Sequence, residues 1–190
     1  KNIKHTFVLA LGGDNLTNDI AIGLRCPQPE AEKIKKKYGH AVARCIQPDE
    51  TIEVPGVSGR EPRKLPRQIL GEILEPRMEE IFALVNREIY RAAMENFIPS
   101  GIVLTGGTAL LDGATEVAES VFSLPARIGT PQGIKGLVEV VNNPMYATGV
   151  GLVLYGARHQ QKEKKKFRIR DRNIFNRLMI RMRRWFKDVV

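Results

Sequence analysis

The sequence predicts an α/β fold. Three observations carry this. A short strand-like run, a glycine pair and a helical segment follow one another twice, over Thr6–Leu24 and over Gly101–Phe122. A further short strand, Ala126–Ile128, comes after the second of these. Between them, Leu65–Phe97 carries apolar residues at helical spacing, so strands and helices alternate as in layered α/β chains. The 190 residues are 43% apolar and 27% charged, which excludes wholesale disorder and suffices for one or two domains with a real core. No run approaches the roughly 18 apolar residues of a membrane-spanning helix; the longest, near Val150–Tyr155, is far shorter. Two cysteines, Cys26 and Cys45, are too few for a disulfide framework or a CxxC knuckle and read as reduced thiols.

Taken in order, the first element is a strand over Thr6–Leu11, ended by Gly12 and Gly13. Asn15 and Thr17 are candidate caps for a helix through Asn18–Leu24. The glycine pair fits a phosphate-binding loop or a tight strand-to-helix turn; without a following GK[ST] it is not a P-loop. A second helix is expected over Pro29–Tyr38, with Pro29 in its first turn and Gly39 as its stop. Glu32 and Lys35 lie three apart and share a face of that helix, which on spacing alone suits a solvated surface pair. Val42–Ile46 and Thr51–Val54 alternate in polarity and could pair as strands. Pro55–Lys64 reads as a loop; with Arg60, Arg63 and Lys64 close together it suits either solvent or an acidic peptide.

In Leu65–Phe97 the residues Met78, Ile81, Phe82, Val85, Ile89, Ala93 and Phe97 recur every three or four positions, a core-facing stripe. Pro76 is expected to kink this helix or to open a second one. In Gly101–Phe122 an apolar strand ends in Thr105-Gly106-Gly107. A turn with Thr108 and Gly113 follows, then a helix with Ala114, Val117, Ala118, Val121 and Phe122 on one face. Such a turn lets a ligand approach the backbone without Cβ interference, with a helix N-terminus nearby. Helical segments are expected near Val138 and over Tyr146–Tyr155.

Charge divides the chain. Arg158–Val190 holds 13 basic and 3 acidic residues, a local charge of +10, whereas the whole chain carries +9 and the preceding 157 residues therefore −1. Residues 158–172 read as a basic, solvated linker. From Asn173, a candidate cap, Ile174, Phe175, Leu178, Met179, Met182, Trp185, Phe186 and Val189 recur at helical spacing among Arg177, Arg181, Arg183, Arg184 and Lys187. That is the pattern of an amphipathic helix lying on an anionic bilayer. Each cation there is worth about 1 kcal/mol, and each large apolar side chain about 1.5–3 kcal/mol before ordering costs. A helix docked on the body, a calmodulin-type partner helix and a nucleic-acid tail are the alternatives; a continuous aromatic face contributes little to phosphate binding.

The blocks Gly12–Leu24, Ala31–Gly39, Val54–Arg63, Thr105–Gly113 and Val140–Gly156, in that order, resemble the FtsA family of bacterial cell-division proteins, within the actin-like ATPase superfamily. The resemblance implies an actin-like (ribonuclease H-like) second lobe. Residues 1–24 and 97–157 would form subdomain IIA, 25–96 an inserted IIB, 158–172 a linker and 173–190 a membrane-targeting helix. It implies ATP, with Mg²⁺, as cofactor. Gly106, Gly107, Thr108 and Ala109 would approach the nucleotide, and Glu32 and Lys35 would match the acid–lysine pair beside its adenosine. Arg60, Arg63, Lys64 and Arg67 become candidate contacts for the C-terminal tail of the tubulin-like protein FtsZ. Ile174, Phe175, Leu178, Met182, Arg184, Trp185, Phe186 and Lys187 become the membrane contacts.

The implied role is an adaptor holding FtsZ filaments to the cytoplasmic face of the membrane at the division site. It would self-associate into actin-like filaments, engage later division proteins and leave nucleic acid alone. The alternatives are an ATP-dependent enzyme of the same superfold and a nucleic-acid-binding protein using the basic tail. The chain opens on Lys1 without the family's first lobe or its DxGGG-like phosphate loop, and so reads as the C-terminal portion of a longer protein. No phosphate role is therefore carried onto Gly12-Gly13, no residue is assigned to hydrolysis, and this portion alone is expected to bind ATP weakly or not at all.

Overall fold

A computed structural model describes residues 3–56, 61–93, 98–133 and 141–159. The chain divides into two compact units, Lys1–Ala147 and Thr148–Val190. In chain order the first unit comprises α1 (Gly13–Leu24), α2 (Gln28–Tyr38), a 3₁₀ turn at Ala43–Cys45, β1 (Thr51–Val54), β2 (Arg63–Pro66) and α3 (Gln68–Arg91). There follow β3 (Ile102–Leu104), a 3₁₀ turn at Gly107–Leu110, α4 (Ala114–Phe122), β4 (Ala126–Ile128) and a 3₁₀ turn at Pro144–Tyr146. Residues 147–159 form α5, nearly all of it in the second unit. Two small sheets are present among the described residues: an antiparallel β1–β2 pair and a parallel β3–β4 pair. The second aligns Ile102 with Ala126 and Leu104 with Ile128, with α4 as the crossover between its strands.

The core follows from helical periodicity. Leu16, Ile20 and Leu24 fall four apart on α1, and Leu70, Leu74, Met78 and Phe82 four apart on α3; all are buried, with Ala114, Val117, Ala118 and Phe122 of α4 and Ile52 and Val54 of β1 in the same cluster. Each of the larger side chains, the Leu, Ile, Val, Met and Phe residues, contributes about 1.5–3 kcal/mol of transfer free energy. The rings of Phe82 and Phe122 sit 5.7 Å apart at a 52° tilt, and Asn86 Nδ2 donates to Val121 O at 3.2 Å, joining α3 to the end of α4.

Several elements depart from the sequence expectation. Residues 6–11 form no strand among the described residues. A strand is held by a partner's hydrogen bonds, and none of the described residues pairs with this run. Helix α1 begins at Gly13 rather than Asn18. Asn15 closes its first turn from inside, its Oδ1 accepting from Gly12 N–H at 2.9 Å, so the capping side chain lies beyond the start instead of before it. Val42–Ile46 is not a strand; its centre is the 3₁₀ turn, and β1 pairs instead with Arg63–Pro66. The turn is fixed by Glu75, whose Oε2 accepts from Ala43 N–H at 2.8 Å.

Pro76 neither ends α3 nor opens a second helix: the 24-residue element runs through it. Pro76 is exposed, so the Glu72 carbonyl that loses its i+4 donor lies on the wet side, while the buried stripe continues on both sides of it. Helix α2 (with Pro29 in its first turn and Gly39 as its C-cap), β3, α4 and β4 agree with expectation. Phe97, the segment near Val138, the linker beyond His159 and the helix at 173–190 lie outside the described residues.

Candidate functional site

The first turn of α1, the middle of α2 and the glycine turn after β3 meet at Gly13. A Cβ built on Gly13 would stand 2.7 Å from Thr108 Oγ1 and 3.4 Å from Lys35 Nζ, so any larger residue would push the Thr108 hydroxyl away from α1. Lys35 Nζ lies 2.8 Å from Gly13 O, 2.7 Å from Thr17 Oγ1 and 2.7 Å from Glu32 Oε2. An ammonium has three donors, and all three are used. Thr17 Oγ1 also contacts Glu32 Oε2 at 2.5 Å and Gly13 O at 3.0 Å. The other Glu32 oxygen, Oε1, takes Lys36 Nζ at 3.1 Å. The Glu32 side chain keeps 33% of its surface exposed and that of Lys35 11%, so the carboxylate is the wetter end of the pair. Burial pushes the Glu32 carboxyl up, but hydrogen bonds from Lys35, Thr17 and Lys36 outweigh it and bring its pKa down to about 2. Glu32 is thus a fixed anion at neutral pH.

The glycine turn is tied down on one side and open on the other. Gly106 N–H donates to Pro144 O at 2.9 Å, and Thr105 Oγ1 lies 3.1 Å from Gly129 O and 3.2 Å from Pro144 O. Gly106 has φ +93°, a conformation that disfavours any Cβ. Among the described residues, no atom lies within 4 Å of a Cβ built on Gly106, Gly107 or Gly12, so bare backbone faces open space at each. Ala109, in the 3₁₀ turn, is buried beneath. The chemistry on offer is a backbone cradle with a carboxylate acceptor, near the positive end of a 12-residue helix.

Of the residues singled out from sequence, the structure brings Glu32, Lys35 and Thr108 together, with Gly106 and Gly107 leading into Thr108. Gly13 and Thr17 were legible only as a turn and a cap. A polar residue inside the apolar stripe Leu16, Ile20, Leu24 was the signal for Thr17. The basic cluster is dispersed. Arg63 Nη2 donates to Leu24 O at 2.6 Å, and Arg67 Nε to Tyr38 O at 2.8 Å while its Nη1 pairs with Glu50. That Arg67 hydrogen bond lowers the Glu50 carboxyl pKa. Lys64 is exposed opposite Glu53 on the β1–β2 ribbon. Arg60 and all the tail residues from Ile174 to Lys187 lie outside the described residues. Among the described residues no cluster of His, Cys, Asp or Glu could hold a metal, and no helix is long and apolar enough to cross a membrane.

Among solved structures, the chain superposes on MreB 5 of Spiroplasma citri bound to AMPPNP with a TM-score of 0.65 at 19% identity, covering 83% of this chain and 47% of that one. The ADP-bound form of the same protein gives 0.62 at 18% identity, covering 82% and 47%. The fold is therefore actin-like. Residues 1–151 match the family described as Cell division protein FtsA. FtsA of Pseudomonas aeruginosa is 51% identical over 158 residues, covering 83% of this chain and 38% of that protein. FtsA of Escherichia coli is 41% identical over 161 residues, 81% and 38%. FtsA of Neisseria meningitidis is 34% identical over 189 residues, 98% and 46%. The chain belongs to the FtsA family of cell-division proteins and spans less than half the length of these relatives.

Proposed function

We propose that this chain supplies the second lobe of an ATP-binding, actin-like cell-division protein, with 1–24 and 97–157 as subdomain IIA and 25–96 as IIB. The observation that carries the reading is the convergence on Gly13 of the Glu32–Lys35 pair with the open Gly106-Gly107-Thr108 turn. The open backbone beside Gly106 and Gly107 fits a flat, hydrogen-bonding ligand such as a nucleoside. Glu32 would accept from its hydroxyls, Lys35 would hold Glu32 and α1 in register, and the glycine turn would admit its base. Solved actin-like neighbours carry AMPPNP and ADP, which supports a nucleotide as that ligand. Mg²⁺ would accompany the phosphates, and no residue of this chain is assigned to hold it or to catalyse hydrolysis.

Membership of the FtsA family supports the rest. The protein would tether FtsZ to the cytoplasmic face of the membrane at the division site, using Arg60, Arg63, Lys64 and Arg67 toward the FtsZ tail. The amphipathic segment 173–190, after the linker 158–172, would take anionic lipid, with Ile174, Phe175, Leu178, Met182, Arg184, Trp185, Phe186 and Lys187 at the surface. Filament formation through actin-like contacts and recruitment of later division proteins complete the role.

Calorimetric titration of ATP into the intact protein tests the site. Glu32→Gln and Lys35→Met are each expected to weaken binding about tenfold, the worth of one charged hydrogen bond; unchanged affinity in both overturns it. Co-sedimentation with anionic liposomes tests the anchor, and undiminished binding by Trp185→Glu/Phe186→Glu sinks it.

A further inference from the structure

Thr17 is the one polar side chain buried in the described core, with 3% of its surface exposed. It sits in the stripe that buries Leu16, Ile20 and Leu24 of α1. A hydroxyl there needs partners, because an unpaired buried polar group is costly. Its local option is the ordinary back-bond to the carbonyl four residues earlier, Gly13 O at 3.0 Å. It has a better one in the Glu32 carboxylate, which is closer and charged. With its single proton committed to Glu32, its lone pair receives Lys35 Nζ.

The connectivity gives this hydroxyl its meaning. Glu32 has three partners among the described residues: Thr17, Lys35 and Lys36. Lys35 and Lys36 belong to its own helix and turn with it. Thr17 is thus the one described group that ties the Glu32 carboxylate to α1. Lys35 reaches α1 twice, at Gly13 O and at Thr17 Oγ1. Without the hydroxyl, the Glu32 carboxylate is held to α1 only indirectly, through Lys35 and its bond to Gly13 O.

We propose that Thr17 is a positioning residue, fixing the Glu32 carboxylate and the Lys35 ammonium in the arrangement that accepts a nucleoside beside the first turn of α1. This rests on the nucleotide reading above. Thr17 does not touch the ligand; it acts through Glu32.

The test uses the intact protein with Thr17→Val, which removes the hydroxyl, and Thr17→Ser, which keeps it. Calorimetric ATP affinity is expected to fall about tenfold in Thr17→Val and to stay within about twofold of the parent in Thr17→Ser, the difference made by one charged hydrogen bond. In a Glu32→Gln background Thr17→Val is expected to cause no further loss, which a merely structural role would not produce. The side-chain carboxyl ¹³C titration of Glu32 reads the contact without nucleotide: the midpoint rises from about 2 in Thr17→Val and holds in Thr17→Ser. If Thr17→Val does not fold, Thr17→Ala removes the same hydroxyl with less bulk and carries the same expectations. An unmoved Glu32 titration, or equal losses from Thr17→Val in both backgrounds, overturns the proposal. ATP affinity unaffected by Glu32→Gln overturns the nucleotide reading instead, and the titration still decides the role of Thr17.

Discussion

Removing the Glu32 charge isolates what the cluster contributes to folding, and the sign can be worked from its titration. The carboxyl falls from 4.5 to about 2 in the folded chain, because the hydrogen bonds from Lys35, Thr17 and Lys36 outweigh the opposing effect of burial. A depressed carboxyl stabilises the fold above its unfolded value, and that stability is lost as pH falls through the folded value. The window therefore runs from about pH 4.5 down to about pH 2. Converted without screening, the shift amounts to about 3 kcal/mol. A third of the side chain faces water, so solvent reduces this to about 1–2 kcal/mol.

The assay is urea unfolding of the parent and Glu32→Gln between pH 7 and pH 3. The parent is expected to be more stable by about 1–2 kcal/mol, by a constant margin from pH 7 to about pH 5. The margin then narrows as the pH falls further, since glutamine does not titrate. A margin that shrinks above pH 5, or one still constant at pH 3, would refute the coupling of Glu32 to its cations.

Three further outcomes follow from the packing. Gly39→Ala places a Cβ 2.4 Å from Lys35 O and 2.7 Å from Leu111 Cδ1. The backbone contact is relieved only by shifting the end of α2, so a loss of about 1–3 kcal/mol in chemical denaturation is expected. Leu74→Ala, at a fully buried position of α3, is expected to cost about 2–5 kcal/mol by the same measurement. Gly106→Ala meets no atom of the described residues within 4 Å but must adopt φ +93°, so it is expected to cost about 1–3 kcal/mol through backbone strain. A crystal structure of that variant with an unmoved turn would confirm strain rather than clash as the cause.

Much of the fold was legible in the residues because helical burial is written locally. The helical recurrence of Met78 and Phe82 on α3, and of Ala114, Val117, Ala118 and Phe122 on α4, encodes faces that meet in the core. Gly39 and Pro29 mark helix ends through their own backbone chemistry. Strand pairing was less legible. Thr51–Val54 was recognisable as a strand, but its partner Arg63–Pro66 lies across a loop, and Val42–Ile46 offered an equal alternation nearer by. Alternation states that a segment can pair and not with what.

The sequence by itself determined the α/β alternation, the glycine turn, the division between a near-neutral body and a basic tail, and the residue types of the site. Only the tertiary structure decided which of those residues touch one another. Glu32 and Lys35 read as an ordinary i,i+3 surface pair until α1 is laid against α2. The chain path then brings Gly13 O, 22 residues from Lys35, and Thr17, 18 residues from it, within hydrogen-bonding reach of the ammonium. A carboxylate's partners across that distance depend on which helices pack together, and helix packing is settled by the whole core rather than by any local run of sequence.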